Sequence, residues 1–351
     1  MNISSVQVSN TANILIVFLA SVAIMYLGRT ILIPLFLGLI LALLLLPIND
    51  FFEKKLPRLI SIILTFLSIA LVLTGIMYFF GSQFVKLYDN VKDFGASIDK
   101  LLTSFFHLIN DNLFSGEIKI EDLLSQENGS VLPTSTIIQK TISVSSGFLS
   151  AIALTVVFSF LYLLYRSSFR IFLVEKTRFS DKKEIANIII RIKKVIQKYF
   201  YGVFFVMLIL GILNGFGLWI IGLDYPFLFG FFAAFLAIIP YIGSFIGGAL
   251  PFLYAVLNFD SIWPAVWVVA WYTLVQAFEG NFLTPKVVGS QVSLNPLFAL
   301  IALILGGIIW GIAGMILFIP LFAILKIVLE NIEELKPYSF MLGKKFGHNQ
   351  S

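Results

Sequence analysis

Cysteine is missing altogether, which excludes a disulfide framework and thiol chemistry. Histidine is nearly missing. His107 and His348 stand far apart, so neither a histidine metal site nor a histidine proton relay is expected. Charge is scarce as well: Asp, Glu, Lys and Arg make up 12% of the chain, about half the share of a soluble domain, near 25%. There is no Walker loop, no Gly-x-Ser-x-Gly elbow, no zinc-ligand cluster and no His-Glu-x-x-His motif. The chain therefore reads as no enzyme, and neither cofactor nor metal is expected. With no nucleotide-binding motif here, any coupling energy comes from an ion gradient, from the solute's own gradient or from another chain.

What is present is apolar. Hydrophobic residues make up 59% of the sequence and its mean hydropathy is +0.98. The expectation is an all-α polytopic membrane protein with about eight membrane segments. Six are plain runs of about the length of a bilayer crossing: residues 11–27, 30–48, 59–81, 147–165, 199–221 and 262–278. The run 14–27 lacks a basic flank and is followed at once by more apolar chain, so it reads as an uncleaved first helix. The other two segments, 227–257 and 297–325, are too long for one straight crossing, and glycine and proline interrupt them. The first is broken between Pro240 and Pro251, the second between Gly306 and Gly314. Irregular backbone survives at membrane depth only inside protein or beside a watery cavity. Broken apolar segments are also the best sequence pointer to a transporter's site. These two read as re-entrant hairpins or as interrupted crossings, with Pro240, Gly243, Gly247, Gly307 and Gly311 as candidate gates.

Basic residues give an orientation. The connection 166–198 holds ten of them against three acids and is expected in the cytoplasm, as are Lys54, Lys55 and Arg58, the tail 326–351 and both termini. The net charge of +5 then reflects topology and anionic lipid rather than nucleic acid. Within that connection Ile185, Ile188, Ile189, Ile192, Ile196 and Tyr199 recur at helical spacing among lysines, the pattern of a helix lying in the membrane interface. The connection 82–146 carries five basic residues against eight acidic ones and falls outside. It opens with a heptad register, Met77, Phe84, Val91, Ile98 and Phe105 alternating with Phe80, Leu87, Phe94, Leu101 and Leu108. A long helix should therefore continue the third span beyond the membrane, its seam buried on its own protomer or on another subunit. The chain divides into N-terminal membrane helices (1–81), this outer connection, a membrane helix (147–165), the basic connection, a core (199–325) and the tail.

Ionisable residues within apolar chain are costly and are functional candidates by default. The best is Glu279. Gln276 shares its helical face three residues earlier, and Asn281, Thr284 and Lys286 follow where Gly280 and Pro285 are expected to end the helix. Such a group suits a polyol or a cation. The plainer alternative is a Glu279–Lys286 pair at a membrane surface. Asn214 lies in Gly211-Ile-Leu-Asn-Gly215, where the glycine spacing reads first as close helix packing.

Several spacings together resemble the autoinducer-2 exporter (AI-2E) family of bacterial permeases. They are Ile239-Pro-Tyr-Ile-Gly243, Gln276-x-x-Glu279-x-Asn281-x-x-x-Pro285, Leu294-Asn-Pro296-Leu, Gly306-Gly-x-x-Trp-Gly-x-x-Gly314 and Pro320-Leu. The resemblance covers nearly the whole chain. It implies a transporter of the bacterial inner membrane, re-entrant hairpins, a moving transport unit and a homo-oligomer, a pentamer in form. It leaves the substrate open between a small polar signal such as autoinducer-2 and sodium–proton antiport. Two positions depart from the family pattern: Ser244, where relatives often carry proline, and Asn295, where histidine is frequent. Asn295 joins Gln276, Glu279, Asn281 and Thr284 as a candidate substrate-binding residue without an ionisable group. The reading is a secondary transporter exporting a small polar solute by alternating access. The alternatives are a Na⁺(Li⁺)/H⁺ antiporter exchanging at Glu279 and a non-transporting membrane scaffold.

Overall fold

The computed structural model describes residues 5–90, 134–175, 182–238, 242–287 and 294–343. Their elements are helices: α1 (Ser5–Leu27), α2 (Arg29–Glu53), α3 (Arg58–Asn90), α4 (Thr134–Glu175), α5 (Lys182–Ile221), α6 (Pro226–Leu236), α7 (Ile242–Asn258) and α8 (Trp263–Phe278). A π-helical turn (Glu279–Leu283) joins α8 to α9 (Thr284–Val287), and α10 (Pro296–Glu330) and α11 (Lys336–Leu342) close the order. One isolated antiparallel bridge, Leu294 with Gly343, ties the entry of α10 to the end of α11. In lipid a helix satisfies every backbone group within its own segment, so long apolar runs with few charges adopt it. Among the described residues, five stretches are long and apolar enough to cross a membrane: Arg29–Glu53, Arg58–Leu87, Gly147–Glu175, Lys182–Ile221 and Pro296–Glu330.

α2, α3 and α4 pack together around Ala42, Leu45, Ile62 and Leu163. Gly38 lies against Phe158 and Ser159, while Arg166 pairs with Asp50 and Glu53, both at 2.5 Å. α2 and α4 therefore run in the same direction. Arg58 donates to Leu163 O (2.6 Å) and to Ser167 (3.0 Å), so this end of the bundle gathers its charges.

The basic stretch 185–198 differs from the expected interfacial helix. It is the first half of α5, which continues unbroken into the expected span. No glycine or proline occurs between Lys182 and Tyr201, so nothing interrupts the helix where the basic stretch meets the apolar one. Its apolar face meets protein. Ile196 packs with Ile40 and Trp310, and Tyr199 with Leu294, Ala323 and Leu342. Gln197 donates to Leu43 O at 2.6 Å and Arg191 pairs with Glu330 at 2.7 Å. The expected extension of the third span is present as far as Asn90. Of its seam, Phe80 meets Phe231 (ring centroids 5.5 Å) and Leu87 packs near Leu218 and Tyr254, while Met77 and Phe84 are exposed. The heptad positions from 91 to 108 lie outside the described residues.

Both interrupted segments double back. A Cβ on Gly247 would lie 2.6 Å from Ala233 Cα, and one on Gly243 would collide with the Leu236 backbone. One arm thus descends as the other climbs, and α6 and α7 form an antiparallel hairpin. Pro240 lies outside the described residues. α6 also lies along α5, with Gly230 against the backbone of Gly211 and Gly215. The glycine spacing read from the sequence as close packing is therefore borne out.

α10 has the length and composition of one crossing, but its backbone divides it. Gly311 holds φ 62°, ψ −140°, inside an otherwise helical run. Gly306 and Gly314 touch backbone to backbone across it, and Trp310 stacks edge-on to Phe318 at 5.4 Å. Eight residues of straight helix would separate Gly306 from Gly314 by about 12 Å. The chain reverses at Gly311 in a conformation open almost only to glycine. The arms are about 22 Å and about 28 Å long, each short of the roughly 30 Å hydrocarbon layer.

Candidate functional site

The first hairpin's tip, α5 and the end of α8 enclose a cavity of ≈ 20 Å³, room for about one water. Its walls come from Leu210 and Asn214 of α5, Ala233, Ala234 and Ala237 at the α6 end, Ser244 of α7, and Tyr272, Val275, Gln276 and Glu279. Each element delivers its residue for a local reason. Small residues on α6 and glycines on α5 let three backbones approach closely, which leaves space only where polar side chains project. On α8, Tyr272, Gln276 and Glu279 stand four and then three residues apart, one face of a helix.

Glu279 begins the π turn. Gln276 Nε2 donates to Glu279 Oε2 and Thr284 Oγ1 donates to Glu279 Oε1, both at 3.0 Å. A carboxylate is thus held by two neutral donors. The helix does not end at Gly280, as the sequence suggested. It widens by one residue per turn and runs on to Val287, with Thr284 N bonded to Glu279 O. Pro285 has no N–H to give to a helical bond. Such π turns within α-helices cluster at functional sites.

The candidate residues part company here. Gln276 and Glu279 line the cavity, and Thr284 holds Glu279 from behind. Asn281 is exposed and its Nδ2 donates to Ala277 O at 2.8 Å, fastening the π turn to α8. Asn295 caps α10: its Oδ1 accepts from Leu297 N at 3.0 Å, and its own N donates to Leu342 O at 2.8 Å. Gly243 and Gly247 are buried between the arms of the first hairpin. Gly307 lies beside Met315, and Gly311 forms the reversal of the second. That second hairpin leans on α1, α2 and α5, with Trp310 Nε1 donating to Met25 O at 2.9 Å. Among the described residues, those lining the cavity come from the first hairpin, α5 and α8.

Two of those lining residues escaped the sequence reading. Tyr272 passed as one more aromatic in an apolar run, although its place four residues before Gln276 was the available signal. Asn214 was read as packing, and its side chain faces the cavity as well.

Comparison with known proteins gives the family. The family model described as AI-2E family transporter matches residues 15–334. The chain belongs to the AI-2E transporter family. YrrI of Bacillus subtilis is 30% identical over 323 residues, 86% of each chain. YueF of the same organism is 29% identical over 322 residues, 87% of this chain and 85% of its own. Both are named as transport proteins with no substrate stated. TqsA of Escherichia coli, named an AI-2 transport protein, is 38% identical over 106 residues, 30% of each chain. Membership makes this chain a membrane protein of a transporter family and accords with the absence of catalytic motifs.

Proposed function

We propose that this AI-2E family member is a secondary transporter that moves a small polar solute out of the cell by alternating access, with Glu279 at its site. The observation that carries the reading is the cavity at the tip of the first hairpin, where a π turn presents a carboxylate beside Asn214, Ser244, Tyr272 and Gln276 in an otherwise apolar lining. In its closed form the cavity holds about one water, so a solute enters only when the hairpin tip and α8 part. The hairpins re-enter the membrane, since their arms are short of its thickness. The basic end, with Arg58, Arg166, Arg191 and Lys326, faces the cytoplasm of a bacterial inner membrane. The exposed Met77 and Phe84 of α3 face another copy in a homo-oligomer. A signal such as autoinducer-2 is one solute of the right class, suggested by the partial likeness to TqsA.

A second reading is Na⁺(Li⁺)/H⁺ antiport, favoured by the size of the cavity, which suits a dehydrated ion, and by the carboxylate. Proteoliposomes with a pH dye inside separate the two when sodium and candidate solutes are added in turn to wild type and Glu279→Gln. Solute flux that falls in the variant, without a sodium-evoked pH change, supports the solute transporter. A sodium-evoked change abolished by the variant supports antiport. Unchanged flux in Glu279→Gln removes Glu279 from the mechanism.

A further inference from the structure

Two buried polar atoms at this cavity have no hydrogen-bond partner among the described residues: Asn214 Oδ1 and the Tyr272 hydroxyl. Asn214 is 5% exposed. Buried polar groups are almost always paired, and an orphan costs the desolvation of the group with nothing returned. The rest of the lining is Leu210, Ala233, Ala234, Ala237 and Val275, with Ser244, Gln276 and Glu279 as its other polar residues, and none of these pairs with the two orphan atoms. The helix positions that carry them are held in place. Trp271 Nε1 donates to Leu213 O at 3.3 Å, which fixes α5 against α8 at the neighbouring positions. The ring of Tyr272 lies against Gly248 of α7, where a Cβ would come within 3.2 Å of it. Two oriented orphans at one cavity beside a carboxylate are the signature of a site whose guest supplies the missing partners.

We infer that Asn214 and Tyr272 read a hydroxyl group of the transported solute. The phenol O–H donates to the guest oxygen, and the guest O–H donates to Asn214 Oδ1. A hydroxyl is donor and acceptor at once, so one group satisfies both orphans. A bare cation does not, because ligation by the phenol oxygen leaves the phenol proton unpaired. In the closed form a single water stands in the same place, since it has the same two capacities and the cavity has room for about one. The solute's hydroxyl replaces that water, and Glu279 receives a second polar group of the guest. This inference rests on the transport reading above and assigns specificity within the same site.

The test uses the full chain in proteoliposomes and the uptake of radiolabelled erythritol, xylitol and ribose as probes. Wild type is compared with Tyr272→Phe, Asn214→Leu, Glu279→Gln and, as control, Thr273→Val, an exposed position whose hydroxyl bonds to Val269 O. Loss of one hydrogen bond to the guest is expected to raise KM for the carried probe about tenfold in each of the first two variants. Maximal rate should stay within about threefold, and the control should match wild type. Both variants should also melt no lower than wild type, because each removes an orphan. A merely structural role gives the opposite pattern, lower melting with unchanged KM, and overturns the inference. Wild-type KM in both variants with impaired Glu279→Gln overturns this inference and leaves the transport reading standing. Wild-type flux in Glu279→Gln as well overturns both. Carriage of sodium but of no hydroxylated probe overturns the hydroxyl reading.

Discussion

Gly306→Ala is the sharpest test of the second hairpin. A Cβ at this position would strike the Gly314 carbonyl and would stand 2.9 Å from the Phe318 ring. Phe318 can turn a little, but the Gly314 carbonyl is backbone and is fixed by its own arm. Overpacking a close contact costs about 1–3 kcal/mol, and the upper end applies where neither partner can rotate away. Alanine returns about 1 kcal/mol of helix propensity over glycine, so the net loss should be about 2 kcal/mol. Gly311→Ala should cost a similar amount for another reason. Nothing lies within 4 Å of its added carbon, yet φ 62° with ψ −140° is strained for any L side chain. Gly75 of α3 is the internal control, with open space around it and an ordinary helical backbone. There alanine should be neutral or stabilising by up to about 1 kcal/mol. Reversible unfolding by SDS in mixed micelles, followed by tryptophan fluorescence, reads all three, and Trp310 sits beside the contact. Equal stability of Gly306→Ala and Gly75→Ala would mean that the two arms do not meet, and the reversal at Gly311 would be refuted.

Other expectations follow from single contacts. Asn295→Ala should lose about 1 kcal/mol with the cap of α10, whereas Asn295→Asp should keep it; the same unfolding titration compares them. Arg166→Ala breaks the pairs with Asp50 and Glu53, whose side chains are 49% and 26% exposed. The loss should be about 1 kcal/mol or less and should shrink as salt is raised. Cysteines placed singly at Asp260 and Lys286 report on re-entry, since the chain has none of its own. Re-entrant hairpins put position 260 outside and 286 inside under a membrane-impermeant reagent, while full crossings reverse the pair.

Much of this architecture was legible in composition and periodicity. The helical class, the run of α2, the start of the α3 extension and the interruption of the two long segments follow from apolar length and from where glycine and proline fall, although that pattern left reversal and crossing both open. Less legible was anything depending on what a helix meets. The isoleucine face at 185–199 has the pattern of a helix lying on lipid, yet its later part, Ile192, Ile196 and Tyr199, packs with Ile40, Trp310 and Ala323. Periodicity records that a face is apolar and not which apolar surface buries it. Gly280 and Pro285 looked like a helix end because breakers usually act so. The chain absorbed them in a π turn, since Asn281 and Thr284 supply bonds the wider turn needs. At the site, Gln276 and Glu279 stood out as polar residues in apolar chain. Tyr272 did not, because a tyrosine in such a run reads as apolar until its hydroxyl is seen without a partner.

The central claim is that the cavity beneath the first hairpin lies on the transport path and opens to each side in turn. Ser244→Cys in the otherwise cysteine-free chain puts a thiol in its wall. Labelling by a membrane-impermeant maleimide is then followed from outside and from inside in right-side-out and inverted vesicles. Alternating access gives reaction from both sides, with solute that favours one state speeding one side and slowing the other. Reaction from one side only, insensitive to solute, would contradict it.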